Sequence, residues 1–169
     1  RVTQADVAAS NGVIHVIDRV LSPPTQSIVE LAQDNPALSL LVAAALRAGN
    51  MVVNTLSSSS TGGLTVFAPT NAAFQAAGFA NEAAINAASP ATLANILTYH
   101  VVPGRVFSPI VPNATDVTTA QGGTVRTTVT GTAVTVLGKS NNNQASSVTS
   151  ADILATNGVV HVVDRVLLP

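Results

Sequence analysis

The chain has 169 residues, 47% of them hydrophobic but only 9% charged and 3% aromatic, with no cysteine and no tryptophan. That apolar content excludes an intrinsically disordered segment, and a formal net charge of −1 leaves no basic field for nucleic acid or an anionic membrane. Without cysteine there is no disulfide scaffold, zinc knuckle or thiol nucleophile, so the core must be assembled from Val, Ala, Leu and Ile.

In chain order, the first feature is one half of a repeat. Residues 2–23 read VTQADVAASNGVIHVIDRVLSP and residues 148–169 read VTSADILATNGVVHVVDRVLLP, with about two-thirds of positions identical and no gap. Nothing between them repeats, and the separation far exceeds the roughly 20–50-residue period of a solenoid. The expectation is a tandem protein. Residues 1–24 are then the C-terminal strand segment and linker of a preceding domain, and residues 25–169 one complete domain, with Pro23-Pro24 as a stiff connector. The apolar segment from Val13 to Leu21 becomes a strand without its own domain. Such a strand seeks an unpaired sheet edge, so it is predicted to pack against the complete domain or to pair with another chain. Exchange with residues 159–167 of a second copy is one route to a dimer.

Within the complete domain, Ser27-Ile28-Val29-Glu30 fits a capping box opening a short helix with Ile28 and Leu31 inward. Asn35 then Pro36 reads as an N-cap and first helical position. Leu38, Leu41, Val42, Ala45 and Leu46 form the following apolar stripe, and Gly49 ends it. Residues 51–56 are expected as a strand and residues 57–63 as a polar loop. Residues 64–68 form a short apolar strand closed by Pro69, after which Thr70 or Asn71 caps a turn of helix carrying Phe74. Ser89-Pro90 starts a helix with Leu93, Ile96 and Leu97 on one side, running to Tyr99-His100. From Asp116 the pattern changes to Thr/Val alternation. Residues 124–129 and 133–137 flank a Gly131 turn as a hairpin, and residues 147–154 and 159–167 follow as strands. Helices first and strands later favour an α+β fold. The most apolar run, residues 38–46, is far shorter than the roughly 20 residues of a membrane-spanning helix, so no membrane insertion by this segment is expected.

The chemistry-bearing residues are sparse. Asn157-Gly158 is a turn signal, its glycine supplying backbone angles that other residues resist. Residues 159–167 are apolar on both alternating faces, so the strand should be buried on two sides with His161 as a hydrogen-bonded core histidine. Asp164 and Arg165 belong at its wetter end. Among titratable groups the complete domain has two histidines, His100 and His161, without the Gly-x-Ser-x-Gly elbow of a serine hydrolase or a paired-histidine metal spacing. Its carboxylates, Glu30, Asp34, Glu82, Asp116, Asp152 and Asp164, are scattered rather than paired. No catalytic residue, cofactor or metal site is assigned.

Three separated motifs do stand out: Thr65-Val-Phe-Ala-Pro-Thr-Asn-Ala-Ala-Phe74, Tyr99-His100-Val-Val-Pro-Gly104, and Asn157-Gly-Val-Val-His-Val-Val-Asp-Arg-Val-Leu-Leu-Pro169. Through them the chain resembles the fasciclin domain family over essentially all of residues 25–169, and Asn11 to Pro24 resembles the family's C-terminal motif alone. The resemblance implies a wedge-shaped β-sandwich of mainly antiparallel strands with several short helices packed along one edge. It makes Thr65, Phe67, Pro69, Thr70, Asn71, Phe74, Asn157, Gly158, His161 and Asp164 structural motif residues. It also implies a non-catalytic, secreted or cell-surface adhesion module meeting a protein, matrix or glycan partner, periplasmic or lipid-anchored if bacterial. Tyr99-His100 resembles the tyrosine–histidine motif linked with integrin recognition in animal members, and Asp152-Ile153 matches the Asp-Ile pair given a similar role. The competing structural readings place Tyr99 in the core and Asp152 on a turn. Asn113-Ala114-Thr115 is a glycosylation sequon. The alternative function is a carrier or sensor domain binding a small apolar or glycan ligand in the cleft between helices and sheet. A sizeable apolar pocket with convergent polar groups would mark the carrier, an exposed patch or sheet edge the adhesion module.

Overall fold

The computed structural model describes residues 1–58 and 62–169. After a hairpin, β1 (Val2–Ala9) and β2 (Gly12–Ile17), come three helices: α1 (Ile28–Gln33), α2 (Ser39–Ala48) and α3 (Asn50–Ser57). Strand β3 (Leu64–Pro69) leads into α4 (Asn71–Ala76), α5 (Glu82–Ala87), α6 (Pro90–Tyr99) and β4 (Val101–Pro103). After the 3-10 turn Ser108–Ile110 come five strands: β5 (Thr115–Thr118), β6 (Thr124–Thr130), β7 (Ala133–Leu137), β8 (Ser146–Ala155) and β9 (Gly158–Val163). The fold class is α+β, as the order of patterns in the sequence requires.

Seven strands form one sheet in the order β4-β3-β9-β8-β7-β6-β5. Among the described residues only β3 and β9 run parallel, with Val66 opposite Val160 and Phe67 opposite His161; the other pairs are antiparallel. Strand β8 belongs to both halves. Its first residues, Ser146 and Ser147, pair with β7, and the stretch from Val148 to Ala155 pairs with β9. The sandwich-like layering therefore comes from a single sheet that curls, not from two separate sheets. Strands β3 and β9, central and fully buried, supply two cores from their alternating faces. Val66, Ala68, Val160 and Val162 meet the helices with Phe74, Ile85, Leu93 and Leu97. Phe67, Val163 and Leu167 meet Tyr99, Val125 and Val136 in a smaller core inside the curl.

Local chemistry explains most element boundaries. The capping box at α1 is complete: Ser27 N–H donates to Glu30 Oε2 at 2.7 Å, and Glu30 N–H donates to Ser27 Oγ at 3.3 Å. The same Ser27 contacts hold the exposed Glu30 carboxyl below its ordinary pKa. Asn35 Oδ1 caps the 3-10 turn Pro36–Leu38 that leads into α2, and Thr70 Oγ1 accepts from Ala73 N–H to start α4. Asn71 ties these two sites together. Its amide donates to Pro36 O and Ser39 Oγ, and its Oδ1 accepts from Leu40 N–H at 2.9 Å.

Four expectations are corrected. Residues 51–56 are helical, not a strand: Gly49 turns at φ +95° between α2 and α3, and Val52 and Leu56 then fall one turn apart on the inner face. Burial of that face overrides the β-branched propensity of Val52 and Val53. The polar loop, residues 57–63, begins inside α3, and residues 59–61 lie outside the described residues. The inner stripe of α2 is Leu40, Leu41 and Ala44, whereas Leu46 is 66% exposed. The last strand ends at Val163 and not Leu167, because the Asp164 carboxylate accepts from Ser147 N–H at 2.7 Å and bends the chain away. Val166 and Leu167 remain buried beyond that bend.

Candidate functional site

Tyr99 and His100 sit at the end of α6, where the chain crosses from the helical layer into β4. Both are 1% exposed. The Tyr99 hydroxyl donates to Thr124 O and accepts from Lys139 N–H at 3.1 Å, joining the helix end to both strands at the open end of the β6–β7 hairpin. The His100 Nδ1–H donates to Ile96 O at 2.8 Å and Nε2 accepts from Leu167 N–H at 2.8 Å. Burial pushes the His100 pKa down to about 4, so the ring is neutral at physiological pH and fixed as one tautomer. All polar atoms of this pair are spent inside the fold, and neither side chain is presented at the surface.

Asp152 and Ile153 lie in β8 where its register against β9 shifts. Asp152 adopts φ +59°, its N–H donates to His161 Nδ1 at 3.2 Å, and its carboxylate takes the N–H of Ser108 at 2.7 Å and the Ser108 hydroxyl. His161 completes the arrangement from the core side, its Nε2–H donating to Val106 O at 2.9 Å and its ring stacking on Phe67. Thr65, 1% exposed, bridges the same region by donating to Gly104 O and accepting from Val106 N–H. Asp152 thus orders the 3-10 turn Ser108–Ile110, while Ile153 is half-buried and faces the helical side. Asn157 is buried and engaged on every side, accepting from Ile28 N–H and donating to Leu56 O and Ser58 O. Asn113 is exposed in the loop before β5, its Oδ1 accepting from Val129 N–H.

The N-terminal hairpin repeats this geometry in an exposed setting. Asp6 has φ +56°, its N–H donates to His15 Nδ1 at 3.1 Å, and the register shifts at the same places. Yet β1–β2 is a two-stranded sheet of its own, with all residues exposed except half-buried Val7. Of the segment from Val13 to Leu21, the part up to Ile17 therefore pairs with β1 and not with the main sheet, which corrects the first of its two predicted uses. Val13 is 62% exposed, Val20 89% and Leu21 83%, where their counterparts Val159, Val166 and Leu167 are buried. The two glycines differ in the same way. A Cβ on Gly158 would run into the Leu64 carbonyl oxygen and approach Ile28 Cδ1 to 2.8 Å, whereas Gly12 has nothing within 4 Å. Close approach, not a left-handed φ, is what requires glycine at 158.

A feature that the motifs did not point to lies between the helices and the sheet. A cleft of about 430 Å³ is floored by Val66, Ala68 and Val160 and walled by α1, α2 and α3. The signal for it was present as an apolar arc on α2 too wide for one buried face: Val42 and Leu46 line the cleft, with Ala45 at its border with the core. A second groove, about 550 Å³, adjoins it through shared residues Gln33, Val42 and Leu46 and carries Arg47 and Glu82. Among the described residues no group of three potential metal ligands converges, and no single helix is long and apolar enough to cross a membrane.

The sequence profile of the fasciclin domain matches residues 1–23 and 36–169. The chain belongs to the fasciclin domain family. It is 40% identical over 159 residues to protein sll1483 of the cyanobacterium Synechocystis, covering 91% of this chain and 79% of that one. With transforming growth factor-beta-induced protein ig-h3 of the pig it shares 37% identity over 160 residues, 94% of this chain but only 21% of the relative. With immunogenic protein MPB70 of Mycobacterium bovis it shares 37% over 142 residues, 82% of this chain and 66% of the relative. The fasciclin chain thus spans most of its cyanobacterial relative and about a fifth of the animal one. A solved FAS1 domain pair from the insect cell adhesion molecule fasciclin I matches with a TM-score of 0.72 at 21% identity, covering 99% of this chain and 59% of that one. That likeness shows that the two share a fold.

Proposed function

We propose that this chain is a non-catalytic interaction module, secreted or displayed at a cell surface, and one unit of a tandem fasciclin protein. The observation that supports the reading is the bare hairpin. A sequence that elsewhere in the chain is the buried centre of a sheet appears a second time in the same conformation, with its apolar face open to water. Residues 1–24 are then the closing hairpin of a preceding domain, and residues 25–169 the complete one. The partner is a protein, matrix component or glycan, met through exposed sheet edges and apolar surface such as Leu154. An adhesion molecule among the structural relatives is consistent with this use. Immobilising the chain and measuring retention of extracellular matrix proteins and of cells tests it. Saturable retention, weakened by Leu154→Ser, is expected; no retention above that of an unrelated domain overturns the adhesive reading.

A second reading, a carrier domain for a small ligand, is favoured by one specific observation, the open apolar cleft. Its volume falls within the ordinary range of small-molecule sites.

A further inference from the structure

We propose that the cleft takes the hydrocarbon chain of a single-chain zwitterionic amphiphile, with the charged head group held between Arg47 and Glu82. The inference deepens the carrier reading and rests on it.

The cleft first selects for apolar ligands. Its floor and walls are largely aliphatic, and its polar lining groups other than Gln33, which it shares with the outer groove, are already engaged. His100 uses both ring nitrogens, Asn35 caps the turn before α2, and Asp34 accepts from the Gln26 amide. A sugar entering this space would leave hydroxyls unpaired, each costing about 1–3 kcal/mol. An alkyl chain loses nothing there and leaves water. By proportion with an apolar cavity of roughly 150 Å³ that accepts benzene, about 430 Å³ accommodates a chain of roughly 12–16 carbons.

The head group follows from what lies at the exit. Leu46, largely exposed, and Val42 form the wall common to the cleft and the polar groove beyond it. Arg47 and Glu82 both line that groove, yet neither forms an ion pair among the described residues. A purely anionic head drawn by Arg47 would be repelled by Glu82, and a cationic one the reverse. A head carrying both charges satisfies both, with Gln33 and Asn86 supplying hydrogen bonds at the rim.

The test is an NMR titration of the full chain with three probes that share one alkyl chain: dodecylphosphocholine, dodecanoate and dodecanol, each kept below its micelle-forming concentration. Dodecylphosphocholine is expected to shift the signals of Leu41, Val42, Leu46 and Val160 and to bind about tenfold more tightly than either other probe. Arg47→Gln and Glu82→Gln, both at exposed positions, should each remove about that tenfold preference. Equal affinity for all three probes, unaltered in the two variants, overturns the head-group assignment while the carrier reading stands. Absence of cleft shifts with every probe overturns both. Ala45→Phe, which fills the cleft, should abolish binding; a folded Ala45→Phe protein that still binds places the ligand elsewhere and overturns the proposal.

Discussion

At the residue scale, identical letters carry different energetic weight according to what surrounds them. Gly12 and Gly158 occupy the same place in the repeat, but only Gly158 lies against the β3 backbone. Gly158→Ala should therefore destabilise the fold by about 1–3 kcal/mol or more through overpacking, while Gly12→Ala leaves thermal stability within about 0.5 kcal/mol. Paired thermal melts measure the difference directly. His100 gives a second contrast. Its folded pKa of about 4 lies below the ordinary 6.5, so between those values the unfolded chain binds more protons than the folded one. The stability it contributes is complete above pH 6.5 and is lost as pH falls towards 4, by roughly 3 kcal/mol at most. Urea titrations at pH 7 and pH 4.5 should show a steeper loss for the native chain than for His100→Gln. Equal losses would mean that the ring is not held neutral by burial.

At the scale of elements, the sequence was legible wherever a boundary is set by adjacent residues. Ser27 with Glu30, Asn35 with Pro36, Thr70 before Phe74 and Ser89 before Pro90 mark helix starts that the structure reproduces. The hairpin around Gly131, with φ +62°, is equally local. Helix α3 was not legible, because its direction depends on where the Gly49 turn sends it and on which core it meets. The short β4 was also missed, since three residues acquire strand geometry only from pairing with β3. The repeated hairpin separates the two kinds of information. Its bulge, positive-φ aspartate and histidine clamp form in both copies, so they are encoded within about sixteen residues. Protection is another matter, because a free two-stranded hairpin is marginal in water. Amide hydrogen exchange should be fast in β1–β2 and slow in β8–β9, the latter approaching the global unfolding limit. Comparable slow exchange in both would show that β1–β2 is covered in solution, by a second copy or otherwise.

At the scale of the whole molecule, stability resides in residues 25–169. The hairpin contributes little buried surface, and the charged groups are few, with the Arg126–Asp116 ion pair on the surface at 3.5 Å. Removing residues 1–24 should leave the melting temperature within a few degrees, and light scattering should report a monomer for the shortened chain. A dimer of the full chain that becomes a monomer on this deletion would assign association to the stretch from Val13 to Leu21. A large drop in melting temperature would instead place the hairpin in contact with the domain. The low charge and scarcity of rings that mark the composition follow from this architecture. Aliphatic strands and short helices fill two cores, and the outer face of the curled sheet is largely Thr and Ser. By itself the sequence determined the fold class, the family, the helix caps and the inner conformation of the repeated hairpin, because each depends on residues close together or on alternation along one strand. Only the tertiary structure decided that Tyr99 and His100 are buried, that one repeat glycine is indispensable and the other free, and that an apolar cleft opens beside α2. Those properties depend on what approaches from a distant part of the chain, and no local pattern records the neighbour.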